Sequence, residues 1–328
     1  MRFALMIEPQ QGMTYEEQLA IARRAEAAGF EAFFRSDHYA GLPDDSEGPT
    51  TDAWAVLAGL ARETDHIVLG TLVSPVTFRH PGNFVKLVTT VDHMSGGRIE
   101  LGIGAGWNEQ DHAPLGLAFP AIAERADLME DQLAILHGLW TGPDGWSYEG
   151  RQLKVSGSRL RPRAVDVPGR PRAENGMVRP RIIVGGEGSP RAFRMAARWA
   201  DEFNLTISSP ERAAERFAAL DEALRVAGRA PETLTKSAMV TTVVGVDEAE
   251  VARRVDDLAE GVFEIEERNG REWLDGRRAR WILGTPDEAR AMIRRYAEAG
   301  VERLMLQDYI PRDLEMIDLM AEELIDRV

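Results

Sequence analysis

The sequence predicts a closed (β/α)8 barrel, the TIM-barrel architecture of the α/β class. Three observations carry this. Strand-like and helix-like segments alternate from the first residues onward, which implies parallel strands joined by helical crossovers. Eight strand-like runs can be counted, each followed by helical material, and that number favours a closed barrel over an open doubly wound sheet. At 328 residues and 44% hydrophobic content, the chain has the length and the core for one such barrel with insertions. The expected organisation is a single domain over residues 1–328, with excursions at about 141–180 and 262–283.

Taken in order, Phe3–Ile7 is a compact apolar run and reads as the first strand. Thr14 with Glu17 makes a capping box, and the helix it opens runs to Ala28 and stops at Gly29. Phe30–Phe34 is the second strand, followed by the polar loop Gly41–Thr51 and a helix over Asp52–Glu63 with Trp54, Leu57 and Leu60 on one face. Ile67–Val73 is a β-branched third strand, and Pro81–Met94 is a helix with proline in its first turn. Ile99, Leu101 and Ile103 alternate with Glu100 and Gly102 as a fourth strand, and a helix follows over Ala121–Trp140. Residues 141–180 are dense in glycine and proline and read as an excursion over the barrel rim, with a hairpin around Trp146–Leu153. Alternation then resumes: strand Arg181–Val184, helix from Ser189, strand Glu202–Ile207, helix Pro210–Ala227, strand Ser237–Val244 and helix from Asp247. Residues 262–283, with Trp273 and Trp281, form a second insertion. A capped helix from Thr285, the strand Val301–Gln307 and a final helix close the chain.

Composition narrows the function. The formal charge is −15, from 39 basic and 54 acidic side chains, which argues against a nucleic-acid partner. Only Lys86, Lys154 and Lys236 are lysines, so fixed anion contacts fall to arginine or to the backbone. The absence of cysteine excludes disulfides, thiolate zinc sites and a cysteine nucleophile. Met1 leads straight into the first strand with no signal peptide, and no apolar run approaches the roughly 18 residues of a membrane span. A cytoplasmic protein with no membrane partner is the expectation.

Barrels of this kind carry their active sites where strands end. Those ends supply Glu8 and Gln10; Asp37 and His38; Val73, Ser74 and Thr77; Gly104, Ala105, Gly106, Trp107 and Asn108; Gly185, Gly186, Glu187, Gly188 and Ser189; and Asn204. Two of these ends are glycine loops behind strands, Gly102–Trp107 and Val184–Ser189. Glycine permits positive φ and a close ligand approach, and successive free N–H groups suit a phosphate held from two sides. On this reading a side chain at Gly104 or Gly185 would occupy the phosphate's space. A Rossmann fingerprint fails, because Trp107 stands at its third glycine and the next helix waits until about Ala121. His38 is the histidine that lies directly at a strand end beside a carboxylate, so it is the candidate proton carrier, held by Asp37. His80 and His112 are candidates to line the mouth. No clustered ligand spacing supports a metal, no G-x-S-x-G a serine hydrolase, and no G-x-x-x-x-G-K-[ST] an NTPase.

The runs S-D-H at 36–38, L-G-T-L-V-S-P at 69–75, F-R-H-P at 78–81, V-D-H-M-S-G-G-R-I-E-L-G-I-G-A-G-W at 91–107 and I-V-G-G at 183–186 resemble the bacterial luciferase-like family. They are most similar to its branch that uses the deazaflavin coenzyme F420. The resemblance covers essentially the whole chain in order. It implies a barrel with a cofactor in its mouth, a small-molecule substrate, and a homodimer packed through the second and third helices. Backbone phosphate contacts then fall on Gly104, Ala105, Gly106, Gly185 and Gly186, and ring-side residues on Asp37 and His38; Trp107, Glu187 and Gly188 stand beside them as further cofactor-binding candidates. A non-prolyl cis peptide would fall at Leu72–Val73, or at Val73–Ser74, pressing one face of the ring. One departure stands out. Glucose-6-phosphate dehydrogenases of this branch carry a catalytic glutamate where this chain has Trp107, which cannot move a proton and suits stacking or a buried position instead. The implied function is hydride transfer between F420 and a small organic substrate. The alternatives are an FMN-dependent monooxygenase supplied by a separate reductase, and a catalytically silent flavin-binding barrel.

Overall fold

The computed structural model describes residues 1–41, 48–206, 208–261 and 276–328. Eight parallel strands close on one another in the order β1 (Arg2–Ile7), β2 (Ala32–Arg35), β3 (Val68–Pro75), β4 (Ile99–Gly104), β7 (Arg181–Gly186), β8 (Glu202–Thr206), β9 (Thr235–Val244), β11 (Arg303–Asp308) and back to β1. Helices α1 (Tyr15–Ala28), α2 (Ala53–Glu63), α3 (Pro81–Met94), α4 (Ile122–Thr141), α5 (Pro190–Trp199) and α6 (Pro210–Val226) follow the strands that the sequence assigns to them. The excursion after α4 contains the expected hairpin, β5 (Trp146–Glu149) against β6 (Lys154–Ser158).

Local chemistry sets the element ends. The Thr14–Glu17 box forms both of its hydrogen bonds, and Gly29 ends α1 at φ +91°. Trp54, Leu57 and Leu60 all lie in the core. One correction concerns the second insertion. Its last residues form a short strand, β10 (Ile282–Gly284), which extends the sheet beside the end of β9, and Trp281 is buried. Its earlier part, 262–275 with Trp273, lies outside the described residues, as do 42–47 and Ile207. No helix among the described residues is long and apolar enough to cross a membrane.

Alternation along the strands stacks the barrel interior in three tiers. The middle tier is apolar and holds Ala4, Met6, Ala32, Phe34, Leu72, Ile183, Met239 and Met305. Phe34 fits because Gly70 opposite has no side chain: a Cβ there would lie 2.5 Å from the Phe34 ring. Below it, at the strand starts, Arg303 is 1% exposed and pairs with Glu100 at 2.7 Å, with Glu202 at 3.1 Å and with Glu31. Burial disfavours its charge, but the three carboxylates outweigh that and raise its pKa. Above the apolar tier, at the strand ends, lies the polar tier that forms the site.

Removing Arg303 leaves buried carboxylates without a counter-charge, the costly way to break an ion pair. Arg303→Ala should destabilise the fold by about 3–5 kcal/mol, read as a shifted midpoint in chemical denaturation. A shift within the range of ordinary surface substitutions would show that this tier contributes little.

Candidate active site

The two glycine loops come together because β4 and β7 are neighbours in register, Ile103 beside Val184. Gly104 therefore faces Gly185 across the ladder. The reason for these two glycines differs from the expectation. Neither has positive φ, and a Cβ on either would strike Val73, at 2.6 Å from Gly104 and 2.7 Å from Gly185. Their missing side chains are filled by the Val73 isopropyl group, not kept open for a phosphate. The conformational freedom lies further along, at Gly106 (φ +79°) and Gly188 (φ +81°). The backbone N–H groups of Gly106, Trp107, Glu187 and Gly188 have no acceptor among the described residues. Asn108, 7% exposed, adds a side-chain amide whose Nδ2 is buried without a partner. Unsatisfied donors gathered at two loop tips suit an anionic group. The Leu72–Val73 bond is cis, at the first of the two positions expected.

His38 sits beside the first loop, with its ring edge-on to Trp107 at 5.6 Å between centroids and 74° between planes. Trp107 is 66% exposed, so it is no core residue. The carboxylate that holds His38 is not Asp37. His38 Nδ1 lies 2.6 Å from Asp111 Oδ2, while Asp111 Oδ1 accepts the amide N–H groups of Tyr39 and Ala40, each at 2.8 Å. Nδ1 therefore donates to the carboxylate, and Nε2 is left without a partner among the described residues. Burial lowers the imidazole pKa, but the hydrogen bond and charge of Asp111, helped by Glu8 and Asp37, turn the balance upward. Asp111 moves the opposite way: burial raises it, and His38 with the two amides pulls it below the usual carboxylate value.

Asp37, 1% exposed, is committed elsewhere. Arg79 donates to it at 2.6 Å and the Ser74 hydroxyl at 2.6 Å, and Ser74 in turn accepts from Trp54 Nε1 at 2.9 Å. Arg79 also bridges to Asp52, so the run F-R-H-P is an anchor beneath the mouth. Phe78 stacks on Tyr39 at 4.5 Å, Arg79 ties two carboxylates together, His80 caps α3 and Pro81 starts it. His80 is thus a helix cap, and His112, also expected at the mouth, is 1% exposed and contacts the Asn108 carbonyl and Thr77 from beneath the loop. Glu8 is held at both oxygens, by Gln10 at 2.8 Å and Gln307 at 2.6 Å, in a buried belt that continues to Ser36 and Thr241. Asn204 is buried and donates to Ser237 at 2.9 Å. Glu187 is exposed, with Arg212 3.9 Å away.

Sequence reasoning missed Asp111, Gln307 and Arg79. Asp111 and Glu109 stand in the same loop, and nothing in their spacing tells the partner of His38 from a solvated carboxylate. A cleft of about 780 Å³ opens beyond β1 and β11, lined by Gln11, Met13, Tyr309 and Arg312 and not by the glycine loops.

A family model described as luciferase-like monooxygenase matches residues 1–303. Among curated proteins, an F420-dependent glucose-6-phosphate dehydrogenase of Microbacterium testaceum (strain StLB037) is 29% identical over 322 residues, covering 93% of this chain and 90% of the relative. Among solved structures, an F420-dependent secondary alcohol dehydrogenase in complex with an F420-acetone adduct superposes with a TM-score of 0.80 at 20% identity, over 99% of this chain and 98% of the other. A monooxygenase from Streptomyces bottropensis gives 0.81 at 22% identity, over 99% of both chains. At such identities the two structures establish the fold.

The His38–Asp111 pair generates a titration test. In the folded protein His38 should titrate above the ordinary 6.5, whereas Asp111→Asn removes the main raising partner against an unchanged burial and should lower it relative to wild type. Because the folded pKa is raised, this pair's contribution through His38 is full below pH 6.5 and fades as pH rises through the folded value. Imidazole nitrogen shifts followed by NMR decide it, and equal titration in both proteins would separate His38 from Asp111.

Proposed function

The chain belongs to the luciferase-like monooxygenase family, and from that premise we propose that it is an oxidoreductase that transfers hydride between coenzyme F420 and a small organic substrate. The observation that carries this reading is the meeting of two donor-rich glycine loops beside a histidine whose Nε2 is free. The choice of F420 over FMN is supported by the relative matched along 93% of the chain, which is named for that cofactor. A homodimer packed through α2 and α3, and a place in the cytoplasm, belong to the same reading through the family resemblance.

Bound F420 supplies hydride chemistry at C5 of its ring. The protein's part is binding, orientation and the proton. The amides of Gly106, Trp107, Glu187 and Gly188 would hold the phosphate. Trp107, exposed beside His38, offers an apolar face against which the ring or the substrate would stack. His38 Nε2 gives the proton that accompanies hydride when the substrate is reduced, and takes it when the substrate is oxidised. Asp111 keeps Nδ1 protonated and the ring oriented, so that Nε2 is the atom presented. Asp37, Arg79 and Ser74 support the loop that carries His38 from beneath and do not meet the substrate. Trp107 in place of the glutamate points away from glucose 6-phosphate as the substrate.

Equilibrium titration of the purified protein with each cofactor should show a preference for F420. Micromolar affinity for FMN with no measurable F420 binding would replace this reading with the monooxygenase. Within the F420 reading, His38→Ala should lower hydride transfer by about 10²–10⁴-fold while cofactor affinity changes far less. A variant that keeps wild-type transfer rates in stopped flow would remove His38 from the chemistry.

A further inference from the structure

A phosphate held by neutral amides alone lacks a counter-charge, and the side chains on the second glycine loop offer none. Glu187 is acidic, and Arg212 is the cation near it at 3.9 Å. One arginine close by is unspent. Arg216, on the first half of α6, lays its stem under the loop: a Cβ on Gly188 would come 3.3 Å from Arg216 Cδ. The side chain is half-buried, its Nε is buried with no acceptor, and it has no hydrogen bond or ion pair among the described residues. The contrast with its neighbours is plain. Arg179, Arg181 and Arg191 are each paired with a carboxylate, and Arg229 is spent on backbone carbonyls. A guanidinium that is partly desolvated and left without an acceptor is costly unless an anion arrives to meet it.

We propose that Arg216 is the charged member of the phosphate site, reaching from α6 to the phosphate group held by the amides of Glu187 and Gly188. The proposal rests on the cofactor reading above but not on the choice of cofactor, because F420 and FMN both carry a phosphate on the ribityl chain. Arginine suits this place, since its planar fork can meet two phosphate oxygens at once. It also answers the scarcity of lysine: Lys86, Lys154 and Lys236 lie on other elements.

The test separates a charge contact from a packing role. Wild type, Arg216→Lys and Arg216→Ala are titrated by fluorescence with F420, with the 5′-phosphate of its deazariboflavin core, which lacks the oligoglutamate tail, and with that core without phosphate, and in parallel with FMN and riboflavin. Arg216→Ala should weaken the phosphorylated members of whichever set binds by tenfold or more and leave the phosphate-free member unchanged. Arg216→Lys should recover part of the loss. Equal weakening of both kinds would show that Arg216 only packs beneath Gly188, and no weakening of either would remove it from the site. Binding of FMN but not F420, with the loss confined to FMN, would overturn the choice of cofactor and leave the role of Arg216 standing. Failure of wild type to bind either phosphorylated cofactor would overturn both.

Discussion

The mouth of this barrel depends on one packing constraint: Val73 of β3 lies over the ends of β4 and β7, in space left by three glycines. A Cβ at Gly102, Gly104 or Gly185 would come 3.2, 2.6 or 2.7 Å from the Val73 side chain. Interiors packed at crystal-like density do not absorb such contacts without a backbone shift. The constraint brings the three strand ends close, and closeness aligns the two glycine loops beyond them. Gly106 and Gly188 then turn their chains through positive φ, which leaves four amide donors at the loop tips with no partner in the described structure. The cluster of free amides is a consequence of how β3 packs, not an addition to it.

The same economy runs through the polar tier. Asp37 and His38 are adjacent in sequence but face different tasks. Asp37 is buried against Arg79 and Ser74 and ties β2 to β3, whereas His38 turns to Asp111 in the loop after β4. A histidine held by its neighbour would move with its own strand end. Held by Asp111, which also takes the amides of Tyr39 and Ala40, it is fixed to the loop that carries Trp107. His38 and the glycine loop are therefore tied together through Asp111. At the opposite end of the barrel, Arg303 and its three carboxylates close the interior without any link to the mouth. Stability chemistry sits at the strand starts and site chemistry at the strand ends, as parallel barrels arrange them.

Much of this was legible in the sequence, and the limits have physical causes. The eight barrel strands, the Thr14–Glu17 box, the Gly29 stop and the hairpin after α4 follow local rules, because capping and alternation act over a few residues. Both glycine loops were legible for the same reason. What escaped was set by contacts distant in sequence. Gly104 and Gly185 looked like space for a ligand, and only the structure shows Val73 filling it. Asp111 lies 73 residues from His38, and Gln307 lies 299 residues from Glu8, so no spacing could join them. Arg303 stands within the expected strand Val301–Gln307, and its three carboxylates come from other strands and loops, so its burial follows only from barrel closure.

The central claim is that the two loop tips beside His38 form a single cofactor site. A crystal structure of the protein soaked with F420 tests it most directly. The account predicts the phosphate within hydrogen-bond distance of the amides of Gly106, Trp107, Glu187 and Gly188, and the ring lying within reach of His38. A cofactor bound instead in the cleft lined by Gln11, Tyr309 and Arg312, with the loop amides untouched, would contradict it.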